Sequence, residues 1–584
     1  MTSEGQGLGR SDGMAVFVKG AVVGDLVEAE VTKVKKNYAF AKTVSFLEAS
    51  PDRIEGMCRY GGVCGGCPYG ELSYEAQLAL KEKQVRDKLT RLGGLTDPVI
   101  RPIIGMEEPF RYRNKATMPV WTGGIITRKG GIVENLGEPA VGFYKAKSHE
   151  VVDCYDCMIQ SEPAMAAAEA LRQFMVSDNI TAYDPKWDKG LMRHLVVKTA
   201  RGTGEVMVVL VINGKGIPNG AKLVEMLDDY IYSLPPCSDG TEYSLESVVV
   251  SVCKGKNGSV SGSVMGEELI TIAGKPVIQE EIGGLVFEIS PLSFYQVNPV
   301  QMEALYEKAL EYADLRGEET VLDLYCGVGT IGLFAARRME EAYMAAHGGH
   351  LDYDKVGRVI GIESVKDAVL NANRNAIINH IVGARYVCGK AEEVLPQLVK
   401  GQGPAADDEG LRVGAADVVF LDPPRAGCDP ALLETVVSVG PEKIVYVSCD
   451  PATLARDVKY LCQRGYVFEE ATPVDMFPWG VHVETVCLLS KLNTKQHIEI
   501  NLDMDELDLT DAEKKATYQE IKDYVLEHSG LKVSSLYIAQ VKQKCGIIER
   551  ENYNKPKSED AKQPQCPPDK EKAIKEALKH FGMI

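Results

Sequence analysis

Between about residue 285 and residue 492, short apolar runs alternate with helix-patterned stretches, and no other feature restricts the fold as strongly. The runs are Val321-Leu322-Asp323-Leu324, Val359-Ile360-Gly361-Ile362, Val418-Val419-Phe420-Leu421 and Ile444-Val445-Tyr446-Val447. Strands apolar on both faces need cover on both, and the intervening helices supply it. The pattern therefore predicts a mostly parallel, doubly wound sheet. Ligands of such sheets bind outside the carboxyl ends of the strands, so polar residues at those ends become site candidates.

The rest of the chain reads differently. At 584 residues it exceeds what one hydrophobic core sustains, and three or four domains are expected. Residues 1–50 alternate apolar and polar residues between glycines, which predicts a small OB-like β-barrel. Within it, Lys33-Val34-Lys35-Lys36-Asn37-Tyr38-Ala39-Phe40 interleaves cations with aromatics and suits either nucleic-acid contacts or a solvated strand pair. Residues 51–285 form a central region in which an amphipathic helix over 73–92, expected to pack on the α/β domain that follows, is succeeded by a β-rich stretch from about 110 to 275. The α/β region spans 286–492. Residues 493–584 read as a helical extension, with two helices around a turn in a helix-turn-helix-like arrangement and a Lys/Glu/Pro-rich arm over 552–570. Polar stretches at 345–355 and 401–414 read as surface-loop insertions.

A net charge of -18 argues against a nucleic-acid partner unless the acid is clustered, and runs such as Asp503-Met504-Asp505-Glu506 show such clustering. No apolar run approaches the ~20 residues of a membrane span, and the first residues carry no secretory pattern. The expected setting is a cytoplasmic, monomeric protein with no membrane partner. In that reducing setting the 15 cysteines imply metal binding, catalysis or inert burial rather than disulfides. Cys58, Cys64 and Cys67 form C-x5-C-x2-C in Gly/Pro-rich sequence, with Cys157, after Cys154, as a distant fourth. Such thiolates can share a soft metal centre, and spacing alone leaves zinc and iron–sulfur equally open.

In the α/β region, Asp323-Leu324-Tyr325-Cys326-Gly327-Val328-Gly329-Thr330 turns a strand into a helix through glycines that admit a cofactor, and Glu363 closes the next strand where an acid can hold ribose hydroxyls. On these residues alone NAD competes with an adenosyl cofactor. The following strands end in Asp422-Pro423-Pro424-Arg425 and Ser448-Cys449-Asp450-Pro451. Cys449 thus stands at a ligand crevice, although a buried structural thiol fits its local sequence equally.

Taken together with His482-Val483-Glu484-Thr485-Val486 and with Ser290-Pro291-Leu292-Ser293-Phe294-Tyr295-Gln296-Val297-Asn298, these motifs resemble the RNA uracil-5-methyltransferase family. The cysteine group and N-terminal barrel are similar to its 23S rRNA branch, which carries a TRAM domain and a [4Fe-4S] cluster. The resemblance covers about residues 1–491. It implies a 23S rRNA partner presenting a single-stranded or remodelled uridine, S-adenosyl-L-methionine as cofactor, and Gln296, Tyr325, Thr330, Glu363 and Asp422 as its contacts. Asp422 falls where the base is also touched, and Thr330 stands where relatives commonly have Asn. Cys449 would be the nucleophile, Glu484 the general base, and Cys58, Cys64, Cys67 and Cys157 the cluster ligands, Cys157 fitting the family position better than Cys154. The alternatives are a tRNA or cytosine methyltransferase, or a non-catalytic iron–sulfur RNA-binding protein.

Overall fold

A computed structural model describes residues 1–2, 5–128, 131–237, 240–255, 258–260, 263–492, 518–545, 566–581 and 583. Residues 1–492 form one compact unit and 493–584 a second. Among the described residues no helix is long and apolar enough to cross a membrane.

The predicted doubly wound sheet has seven strands in the order Ala384–Cys388, Arg358–Glu363, Thr320–Leu324, Val418–Leu421, Lys443–Ser448, Glu484–Lys491, Tyr466–Val474. The first five run parallel, and the last two return antiparallel. Alternate side chains enter opposite layers. Val321, Val359, Phe420 and Val445 pack with Leu305 and Leu333 on one side, and Leu322, Ile360, Leu421 and Tyr446 with Leu432 and Leu454 on the other. Full burial of each such aliphatic side chain contributes about 1.5–3 kcal/mol. The chain leaves Thr320–Leu324 first toward one edge and later resumes on its other side, so the switch point, and with it the crevice, lies at the carboxyl end of this strand.

The helix expected over 73–92 spans Tyr74–Arg91, its first turn capped by Ser73, whose Oγ accepts from Ala76 N–H at 3.3 Å. Val85 and Leu89 enter the core of the α/β sheet. Lys81 Nζ meets Asp475 Oδ1 at 2.6 Å with both side chains fully buried, and also donates to the Phe477 carbonyl at 2.9 Å.

The central region is a second seven-stranded sheet, in the order Glu268–Gly274, Ser244–Val252, Glu205–Ile212, Met192–Thr199, Lys115–Arg128, Gly131–Tyr144, Val151–Asp153. Strand patterning did not reveal its two helices, Glu162–Ser177 and Gly220–Tyr232. The first is alanine-rich and buried nearly all round, so it lacks the polar stripe by which surface helices are recognised. Both cover one sheet face through Leu195, Val197, Val208 and Leu210. Val196, Val209, Val211 and Val249 on the other face share a core with the α/β domain.

The N-terminal strands pair in the order Gly7–Ser11, Met14–Lys19, Tyr38–Glu48, Leu26–Val34. Phe17, Tyr38 and Phe40 pack mutually at 5.5–5.6 Å between ring centroids. The stretch 401–414 holds two short helical turns, Pro404–Asp407 and Glu409–Leu411. In the second unit, Tyr518–Ser529, Ser535–Lys544 and Pro568–His580 share a core of Ile521, Val525, Ile538, Val541 and Ile574. The acidic run at 503–508 and most of the arm expected over 552–570 lie outside the described residues.

Candidate active site

The carboxyl edge of the α/β sheet gathers most of the residues singled out above. After Thr320–Leu324 the backbone turns sharply, with Tyr325, Gly327 and Gly329 all at positive φ (67°, 56° and 80°). For Tyr325 this is a left-handed conformation costing about 1–3 kcal/mol. It is held by Tyr325 and Cys326 N–H groups donating to the Ile362 carbonyl at 3.0 and 3.2 Å. A Cβ on Gly329 would lie 2.6 Å from the Tyr386 ring, and one on Gly361 2.2 Å from it. The Tyr386 ring thus fills the space beside both glycines, and its hydroxyl donates to the Gly329 carbonyl at 3.0 Å. Helix Thr330–Ala346 starts at Gly329 without a side-chain cap, which leaves its first N–H groups facing the crevice.

Glu363 accepts from Gly327 N–H at 3.2 Å and from Val365 N–H at 2.8 Å, which aims its carboxylate across the glycine turn. Asp323 is buried; its Oδ2 accepts from Gly332 N–H at 2.9 Å, whereas Oδ1 has no partner. Burial, and then the charges of Asp422 and Glu363, push its carboxyl up to about 7 despite the Gly332 bond. The Thr330 hydroxyl is paired with Tyr306 at 3.0 Å. Tyr325 is half-buried, and burial raises its phenol. Gln296 lies off the sheet, on the segment before helix Pro299–Ala313, with its carbonyl accepting from Asn114 Nδ2 at 2.9 Å.

Cys449 and Glu484 meet because of strand direction. Lys443–Ser448 ends at the crevice, and the antiparallel Glu484–Lys491 begins there. The register pairs Ser448 with Thr485, so the next step sets Cys449 opposite Glu484. Asp450 caps the following helix by accepting from Ala452 N–H at 2.7 Å, which fixes the backbone beside the thiol. Burial, then the Glu484 charge, pushes the Cys449 thiol up to about 11, with Asp422 adding and Arg425 opposing. Glu484 is buried and rises to about 8, chiefly through burial and then through Asp422. Asp422 rises to about 7 through burial. The site thus holds protons on the thiol and on acids near neutrality, the poise needed for proton transfer.

Sequence reasoning assigned no role to three residues in this constellation. Arg425 is exposed, has no ion-pair partner among the described residues, and lowers the pKa of both Cys449 and Glu484. Burial, and then the charges of Arg425 and Lys81, hold the His482 imidazole below its usual range against Asp450. Tyr306 is buried among Asp422, Asp323 and Glu484. Arg425 and His482 sat within quoted motifs and could have been weighed; Tyr306 carried no local signal.

A second cluster lies in the central region. Cys58, Cys64, Cys67, Cys154 and Cys157 line a cavity of about 320 Å³. Cys154 and Cys157 differ sharply. Cys157 Sγ accepts from the Cys154 thiol and from the N–H groups of Ile159 and Gln160, and these bonds, the first the largest, bring it down to about 6 against burial. The thiol of Cys154 is correspondingly raised. Arg113 Nε and Gln160 Oε1, on residues of the same wall, are buried without partners. Among the described residues no three His, Cys, Asp or Glu side chains are arranged to hold a metal ion.

A doubly wound sheet with an antiparallel last strand, a glycine-walled crevice at its switch point and a thiol facing a carboxyl defines a class: α/β enzymes that act on one substrate beside a bound nucleotide-like cofactor. Comparison with known proteins narrows it. The tRNA (Uracil-5-)-methyltransferase family profile matches residues 277–492, and the TRAM domain profile matches residues 1–44. An uncharacterized RNA methyltransferase of Caldanaerobacter subterraneus subsp. tengcongensis is 42% identical over 492 residues, 84% of this chain and 96% of that protein. Another, of Halalkalibacterium halodurans, is 38% identical over 493 residues, again 84% and 96%. Among solved structures, the Pyrococcus abyssi tRNA (uracil-54, C5)-methyltransferase in complex with S-adenosyl-L-homocysteine aligns with a TM-score of 0.58 and 27% identity, over 83% of this chain and 97% of that one. The chain belongs to the RNA uracil-5-methyltransferase family, with a TRAM domain at its N-terminus.

Proposed function

We propose that the protein methylates C5 of a uridine in 23S rRNA, using Cys449 as nucleophile and Glu484 as base. The observation that carries this reading is the placement of Cys449 opposite Glu484 across the Ser448–Thr485 register, beside the crevice. Uracil C5 is a weak nucleophile until a thiolate adds to C6 and gives C5 enolate character. Cys449 forms that bond, with Arg425 offsetting the negative charge of the thiolate. S-adenosyl-L-methionine, when bound, supplies an electrophilic methyl group. Glu484 then takes the C5 proton, and the electron pair left behind expels the Cys449 thiolate from C6.

The crevice suits that cofactor. Gln296, Tyr325, Thr330, Glu363 and Asp422 would hold it, with Glu363 oriented by Gly327 and Val365 and with Asp323 Oδ1 left unpartnered. Asp422 also faces Glu484 and so stands within reach of the base.

Cys58, Cys64, Cys67 and Cys157 would ligate a [4Fe-4S] cluster. Supporting this, the four thiols line one cavity of about 320 Å³. The Cys157 sulfur also accepts from the N–H groups of Ile159 and Gln160, which suits a thiolate ligand. The domains would divide the work: residues 1–50 and 51–285 hold RNA, 286–492 carry the chemistry, and 493–584 add a separate helical module.

Mapping 5-methyluridine in rRNA and tRNA from cells with and without the protein tests the substrate. A lost 23S position is expected; loss confined to tRNA would refute the rRNA reading. Anaerobically purified protein should carry iron and a brown chromophore, and absence of both would refute the cluster.

A further inference from the structure

Beyond the cysteine cavity the surface continues in two steps. Gly66 and Phe143 line both that cavity and a neighbouring one of about 580 Å³, which also carries Lys145 and Lys147. Tyr144, Ser148 and His149 in turn line both this second cavity and a third of about 500 Å³. The cysteine cavity is also lined by Arg113, Lys115 and Val297, and Asn114, between the first two, donates to the Gln296 carbonyl at 2.9 Å. The three cavities thus adjoin one another through shared lining residues, the cysteine cavity lying nearest Gln296.

One strand face defines the direction. Along Lys115–Arg128 successive side chains alternate sides. Met118 and Val120 are buried under the helices, so Lys115 and Thr117, which line the cysteine cavity, share a face with Pro119 and Trp121, which line the third. Pro119 is paired with His194, placing that imidazole on the same face.

The third cavity has the chemistry of a base pocket. Trp121, Tyr144 and Tyr183 supply aromatic walls, and aromatic rings take any nucleobase by stacking. The Arg193 guanidinium lies 4.2 Å over the Tyr183 ring, its Nη1 donating to the Cys253 and Gly255 carbonyls at 2.9 and 2.6 Å. Arg193 Nε and His194 Nδ1 are buried with no partner. An imidazole nitrogen left unpaired in an aromatic cavity lacks the hydrogen bond that a base edge would supply.

We propose that this cavity binds a second, splayed-out nucleobase of the same RNA strand whose uridine enters the catalytic crevice. The inference rests on RNA being the substrate. Stacking on Trp121 and hydrogen bonding to His194 Nδ1 would hold the strand open on one side of the target, so that unstacking there is stabilised by the pocket.

The test uses full-length protein and RNA oligonucleotides carrying 2-aminopurine at successive positions beside the target uridine. Wild type should quench one position selectively. Trp121→Ala should abolish that quench, weaken RNA binding about tenfold in anisotropy titrations, and raise KM for RNA far more than it changes kcat. Trp121→Phe, which keeps a stacking ring, should restore quench and affinity. The proposal is overturned if no position responds to Trp121→Ala and RNA affinity is unchanged. If wild type forms no 5-methyluridine yet the quench behaves as described, the assigned reaction fails and the pocket stands. If methylation proceeds with no response to Trp121→Ala, the pocket fails and the reaction stands.

Discussion

Replacing Glu484 by Gln should separate the two halves of the reaction. Glutamine is close to glutamate in shape, so the base can still enter and Cys449 can still add to C6. On the proposed mechanism the acceptor for the C5 proton is lost, because the strand register sets the Glu484 carboxyl opposite Cys449. A positioned general base contributes ~10²–10⁴-fold, which at ~1.36 kcal/mol per tenfold is about 2.7–5.4 kcal/mol of barrier, and turnover should fall by that factor. A second consequence follows from charge. After burial, the Glu484 carboxylate is the largest influence raising the Cys449 thiol to about 11, and it is ionised only above about 8. In the variant the thiol should therefore titrate lower, and addition above pH 8 should be no slower than in wild type. The assay is a stoichiometric reaction of variant, S-adenosylmethionine labelled in the methyl group, and uridine-containing RNA, resolved on a denaturing gel. The expected result is a persistent protein–RNA band carrying label, together with slow release of product. Undiminished turnover with no retained band would refute the assignment of Glu484 as the base.

Arg425→Ala removes the cation that lowers both pKa values, so the pH midpoint for alkylation of Cys449 by iodoacetamide should move upward; a midpoint that stays put would refute its role. Lys81→Met should destabilise the first unit by about 3–5 kcal/mol in denaturant unfolding, because Asp475 would be left buried and unpaired, and Lys81→Met with Asp475→Leu should recover most of that. Asp323 and Asp422, both lifted to about 7, and Glu484, lifted to about 8, bind protons more tightly folded than unfolded. Their stabilising effect is complete below about pH 4 and lost as pH rises through 7–8, so thermal stability should decline between those limits, and Asp422→Asn should flatten the slope.

The doubly wound sheet was legible because strands apolar on both faces leave few alternatives, and Asp323, Glu363, Asp422 and Cys449 could be placed at its carboxyl edge by their position after apolar runs. Glu484 was legible only through resemblance. Its proximity to Cys449 depends on an antiparallel return strand, and no local pattern announces the direction in which a buried strand runs. Helix Glu162–Ser177 escaped for a related reason: buried nearly all round, it shows no 3.6-residue polar stripe. Tyr306 shows the limit most plainly, since its hydroxyl reaches Thr330 through a contact 24 positions away that periodicity cannot encode.

The buried pair of Lys81 with Asp475 has a temporal consequence. Its partners are separated by 394 positions, so during synthesis at ~5–20 residues per second the lysine emerges on the order of 20–80 s before the aspartate that neutralises it. Until then the helix Tyr74–Arg91 cannot sink into its final place without burying an uncompensated ammonium group. The helix therefore docks only after the last strands of the α/β domain have been made, whereas the N-terminal strands and the central sheet have cores of their own.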